Sequence, residues 1–244
     1  MVVYCEPFLK MFQKGMFFLL LFPALVNAQP RITEGKLFYD ISYKGLSNEL
    51  KNKEHLLPHD ASLYFKNEKC RIEMGAGQFG KNTTIVDKKK GETIALLNIY
   101  GKKFAIRKSD SEMVEVRNSL KTDTAISDVK IEIIEEYKTI AGYKCQKAII
   151  KKTSRGLSKQ SDCWFTKEIP PYNTQNDEAF KLIDGFLMQF NIQEEQLSMT
   201  MTVKMVHPIP MDDKLFEIPN DYQLVTEKEL TRVLKVLQQS QSGD

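Results

Sequence analysis

The sequence predicts a mainly β protein, an antiparallel sheet that curls on itself and is covered by a C-terminal amphipathic helix and short helical segments. Three observations predict it. Short runs alternate apolar and polar residues with period two, turn-forming residues recur roughly every 8–12 positions, and the clearest helical apolar stripe lies at the end of the chain. At 244 residues, 42% hydrophobic and 27% charged, the composition is that of an ordinary globular protein. A formal net charge of +3 argues against nucleic acid as a partner.

The chain opens with Lys10 and Lys14 ahead of an apolar run from Met16 to Val26, followed by Val26-Asn27-Ala28. Small residues at −3 and −1 before Gln29 complete the layout of a secretory signal peptide, and the run is short for a membrane span. The expectation is a cleaved leader over 1–28 and a periplasmic or cell-envelope protein without a transmembrane span. One β-rich domain is expected over 29–238, with a frayed tail over 239–244.

Leu37, Tyr39, Ile41 and Tyr43 form one face of the first strand. Gly45 to Asp60 is polar and interrupted by Pro58, which makes it a loop. His55 and His59 have the spacing of a helical metal pair, but Pro58 lies between them and no third ligand is near, so no metal is expected. Ser62–Phe65 and Cys70–Met74 flank a turn at 66–69. The glycine-rich stretch 75–80 lacks the Lys-Ser/Thr ending of a phosphate loop and reads as a turn or bulge. Further strands follow at 84–87, 93–100 and 103–106. Apolar residues at 94–97 and Ile99 occupy both faces of the second of these, the pattern of a central strand with cover on each side. Ser109 to Val129 is polar and is assigned no element, and another strand runs from Ile131 to Tyr137.

The stretch from Tyr137 to Pro170 reads as two strands around a polar turn, with Cys145 in one arm and Cys163, beside Trp164, in the other. Beyond the leader the chain holds Cys70, Cys145 and Cys163. Three pairings are possible and sequence does not choose among them. In an oxidising compartment the Cys145–Cys163 disulfide is the one expected, because facing positions on successive strands come close enough, and it would stabilise by about 3 kcal/mol. Cys70 shares a face with Ile72 and Met74 and reads as a buried thiol.

Asp177 is a candidate cap for a short helix through Ile183, and 185–192 reads as a strand. Met199, Met201, Val203 and Met205 then alternate with Thr200, Thr202 and Lys204 up to Pro208. Phe216–Pro219 is a short edge segment. In the last helix Thr226 and Glu229 make a capping box, and Leu230, Val233, Leu234 and Leu237 form one stripe. That stripe needs a surface to cover, for which the methionine face is a candidate.

Tyr137–Ala148 followed by Trp164–Pro170 resembles the core of the GLPGLI-type proteins. It is similar also to a related domain-of-unknown-function family of Gram-negative envelope proteins, whose end Leu215–Pro219, Tyr222 and Val225-Thr226 resemble. Of the motif that names the GLPGLI family, Leu182–Leu187 retains Gly185 alone. The resemblance implies a LolA/LppX-like half-barrel, a curved antiparallel sheet around a greasy cavity with helices as a lid. It implies neither catalytic residues nor a cofactor.

Two functions remain open. In the first, the protein carries a lipid, an acyl chain or a lipoprotein anchor. Met199, Met201, Val203, Met205, Leu230 and Leu234 would then line the site, unless the methionines are filled core beneath the helix. In the second, it is an interaction module for an envelope protein, using a sheet edge or the charged loops at Lys88–Lys90 and Lys151–Lys159. An enzyme is not expected. No nucleophile or acid–base motif is present, and the adjacent Glu135 and Glu136 would point to opposite faces of a strand.

Overall fold

The computed structural model describes residues 31–75, 81–99, 101–120, 126–154, 157–172, 178–193 and 197–241. The leader and most of the glycine-rich stretch lie outside them. The strands are β1 (Glu34–Lys44), β2 (Asp60–Lys66), β3 (Lys69–Gly75), β4 (Lys81–Asp87), β5 (Glu92–Ile99), β6 (Lys102–Ser109), β7 (Ile126–Ile140), β8 (Tyr143–Ser154), β9 (Leu157–Thr166), β10 (Phe186–Gln193), β11 (Ser198–His207) and β12 (Gln223–Leu224). The helices are α1 (Asn48–Lys51), α2 (Asp110–Leu120), α3 (Glu178–Lys181) and α4 (Glu227–Gln241).

All strands belong to one curved 12-stranded sheet in the order β12-β6-β5-β4-β3-β2-β1-β11-β10-β9-β8-β7. Successive strands pair antiparallel within the run β1 to β6 and within the run β7 to β11, and β11 pairs antiparallel with β1. The connection through α2 therefore carries the chain from one end of the sheet to the other. That region was assigned no element from sequence, and it supplies both α2 and the start of a 15-residue strand.

Register decides which residues share a face. Leu37, Leu63, Ile72, Thr84, Ala95 and Ile106 lie directly across successive strands, and so share the core face. Leu37, Tyr39 and Ile41 are buried there with Leu63, Phe65, Cys163, Met201 and Val203. Ile169, Tyr172, Phe180 and Ile183, between β9 and β10, pack over this half of the sheet. Phe180 meets Phe190 edge to face at 5.3 Å, and Tyr172 lies 5.0 Å from Phe65. Gly185 follows in the same segment, where a side chain would collide with Phe165 and a backbone oxygen.

The segment after β11 wraps the other end of the sheet. After β11 the chain crosses the opposite face, burying Met211 and Phe216 against Ile85, Ile94, Leu96 and Ala105. Lys66 and Arg71 fasten it by donating to the carbonyls of Met211 and Leu215 at 2.9 and 3.0 Å. Phe216 ends a 3₁₀ turn, Asp213–Phe216, and the edge strand expected there is instead β12, parallel to β6. The chain then rounds this edge, and α4 lies on the core face. β5 is thus apolar on both faces for the expected reason, cover on each side, although it sits near one end of the sheet.

Three further expectations are corrected. All three described cysteines are free and buried, so the Cys145–Cys163 link is not formed. Cys163 faces Ala148, and Cys145 lies an odd number of residues from Ala148, which turns the two thiols to opposite faces. Glu135 and Glu136 do not simply alternate; they form a bulge between the pairs Ile134–Lys147 and Tyr137–Gln146. The β7–β8 turn at Ala141-Gly142, both at positive φ, is a hairpin signal that the Ile131–Tyr137 reading passed over.

Candidate functional site

The methionine stripe does not stay on one face. Phe38 faces Met205 and Tyr39 faces Val203, so Lys204 is an extra residue in β11. The bulge turns Met205 outward, where it is 49% exposed beside His207, and brings Val206 opposite Leu37 instead. Met201 and Val203 are fully buried against Tyr39 and its neighbours, and Met199 is half-buried opposite Tyr43. Leu230 and Leu234 are elsewhere. α4 covers not the methionines but the core face of β5 and β6, where Leu230 is buried with Phe104 and Val225, and Leu234 is half-buried. The six predicted residues therefore do not form one site.

A site of a different composition emerges on the same face. Between the segment covering β1–β3 and β8–β11, and α4 covering β6, the face is apolar but incompletely covered. Ile72, Met74, Ala95, Leu97, Ile99 and Ile106 are all half-buried there. The stripe of α4 is likewise only partly used, with Val233 and Leu234 half-buried. The alternation of β5 and β6 could have pointed here, because the residues on their second apolar face need a cover that the strands themselves do not provide.

At one end this trough meets a cleft of about 640 Å³ between the starts of α2 and α4, past the end of β12. Its apolar floor is Ile106, Leu224 and Val225, and its rim carries Arg107, Lys108 and Lys228 with Glu112, Glu115, Glu227 and Glu229. Both helices are capped by their own side chains. The Thr226 N–H donates to Glu229 at 2.7 Å, and the Glu229 N–H donates to the Thr226 hydroxyl at 3.2 Å, the capping box read from the sequence. Ser109 and Glu112 repeat the arrangement at 2.7 and 3.3 Å. The backbone N–H groups of Thr226 and Ser109 hold the carboxyls of Glu229 and Glu112 below the usual range. Lys108 pairs with Glu227, tying β6 to the first turn of α4.

Among the described residues no group of three or more His, Cys, Asp or Glu could hold a metal. Burial pushes the thiols of Cys70 and Cys163 up to about 12 and that of Cys145 up to about 11, which makes them poor nucleophiles. Lys138 is shifted down, first by burial, but it lies over the Trp164 ring at 4.1 Å and donates to Gln189, a packed structural role.

The model of a domain of unknown function (DUF4412) matches residues 49–222, more than half of the chain. The chain belongs to this family. No curated protein matches the chain. Among solved structures it is similar to the lipoprotein LppX of Mycobacterium tuberculosis, at 11% identity and a TM-score of 0.38 over 72% of this chain and 88% of that one. It is similar also to LprF from Mycobacterium bovis, at 11% identity and a TM-score of 0.31 over 78% and 90%. Among the described residues no helix is long and apolar enough to cross a membrane.

Proposed function

We propose that this is a non-enzymatic, exported envelope protein that binds an apolar ligand, the acyl chain of a lipid or of a lipoprotein anchor. The ligand lies in the trough on the core face of β3 to β6, with α4 as its movable cover. The observation that carries the reading is the run of half-buried apolar side chains from Ile72 to Ile106 left between two covers of the same face. A bound chain would take this surface out of water at roughly 25 cal/mol per Å². α4 suits a cover because one residue of its stripe, Leu230, is buried among those described, and its further attachments, such as Lys108–Glu227, are at the rim. Met201 and Val203 serve as the filled core beneath the trough's far wall.

Native mass spectrometry of protein purified gently from its own envelope tests this directly. A reproducible extra mass in the lipid range, lost on organic extraction, is expected. Uptake of a fluorescent fatty acid should be abolished by Leu97→Glu and Ile106→Glu while Met205→Glu leaves it unchanged. A bare polypeptide mass together with no uptake overturns the reading in favour of an interaction module.

A further inference from the structure

The two ends of the sheet are finished differently. At one end the two-residue β12 pairs with β6 at Phe104 and Ala105 and the C-terminal segment wraps both faces, so that edge is partly covered. At the other end stands β7, 15 residues long, with β8 as its one partner strand among the described residues. Its outer backbone groups form an open pairing template.

We propose that β7 pairs with β7 of a second copy of this chain, antiparallel about a two-fold axis at Ile131. Charge and register fit this arrangement. With the axis at Ile131, Lys130 stands opposite Glu132 of the second copy, and Glu132 opposite its Lys130. On the other face Ile131 meets Ile131, and Val129 meets Ile133, twice by symmetry. Moving the axis by one residue sets either Lys130 or Glu132 against itself.

The side chains are placed for this. Val129 and Ile131 pack on the main core, while Ile133 is 48% exposed at its margin, so the second strand continues the core face past the edge. On the other face Lys130 and Glu132 are 75% and 55% exposed. Their present partners, Asp128 at 3.3 Å and Lys151 at 2.9 Å, leave both side chains free to turn outward. The bulge at Glu135–Glu136 ends the regular run and limits pairing to the stretch before it. A two-fold pairing uses the β7 edge of both copies at once, so it stops at a symmetric dimer rather than extending into a filament. The assembly does not depend on the apolar ligand.

The test is sedimentation velocity of the purified protein over a concentration series at low and high salt. A reversible dimer that weakens with salt is expected. Lys130→Glu and Glu132→Lys each replace two attractive pairs by repulsive ones and should weaken dimerisation about thirtyfold. Mixed in equal amounts the two variants restore complementary pairs, so a heterodimer of wild-type strength should form. Far-UV circular dichroism shows whether each variant is folded, and the rescue on mixing is a readout that a structural defect cannot produce. A wild-type monomer at every concentration overturns the proposal. So does a dimer indifferent to either variant, or a folded pair of variants that stays monomeric when mixed.

Discussion

Gly185→Ala should destabilise the protein although glycine is not needed there for its backbone angles. A Cβ at this position would stand 2.5 Å from Cδ2 of Phe165 and 2.8 Å from the carbonyl oxygen of Thr166. Non-bonded carbons prefer about 3.5 Å or more, so the aromatic ring would have to retreat by about 1 Å. Phe165 is only 2% exposed within the main core, and Thr166 is held in register opposite Phe186, so neither neighbour has room to yield. Overpacking of this kind costs roughly 1–3 kcal/mol, and a rigid backbone atom on one side places it near the upper end, about 2–3 kcal/mol. For a domain of this size that lowers Tm by about 4–10 °C. The assay is thermal unfolding followed by circular dichroism and by the fluorescence of Trp164, whose strand carries the strain. Gly75→Ala is the control, because nothing lies within 4 Å of its Cβ position; it should be neutral or slightly stabilising. If Gly185→Ala melts with the wild type, the close passage of the 167–185 segment over β9 is wrong.

Other expectations follow from the same geometry. Met201→Ala should cost about 2–4 kcal/mol and Met205→Ala less than about 0.5 kcal/mol in urea titrations, since the bulge in β11 buries one and exposes the other. Equal losses would contradict the register shift. Thr226→Ala should cost about 1 kcal/mol by removing the α4 cap. The Glu229 carboxyl, held below its ordinary 4.5 by the Thr226 N–H, stabilises the native state above that pH, and the contribution is lost as pH falls through the lowered value. Helicity of α4, followed by proteolytic sensitivity of its peptide bonds, should therefore decline below about pH 4.5, and less steeply in Thr226→Ala. The thiols run the other way. Raised to about 11 or 12, they favour the native state fully below the ordinary 9.0 and progressively less as pH rises through those values. Cys70, Cys145 and Cys163 should stay unreactive to an aromatic disulfide reagent at pH 8 until the protein is unfolded. Fast labelling of any of them in native protein would refute their burial.

Local signals determined much of this protein. Period-two alternation located β1 and β11, because a strand with one buried face must alternate, and short runs punctuated by turn residues located β2 to β6. The capping box and stripe located α4, because four backbone N–H groups at a helix start need partners and a helix needs one apolar face. What the alternation could not supply was which strand pairs with which, and by what register. A single inserted residue, Lys204, reverses the facing of Met205, and an odd spacing separates Cys145 from Ala148, the residue opposite Cys163, although each strand by itself looks regular. The return of β11 to β1 and the passage of the C-terminal segment around β6 decided where α4 sits. Those are contacts between residues far apart in the chain, whose stability comes from non-directional apolar burial. An apolar stripe can therefore announce that it needs a cover without specifying the cover. For this reason Leu230 and Leu234 were legible as buried residues, while the trough they help to close, with Ile72 and Ile106 on its floor, became visible only in the folded sheet.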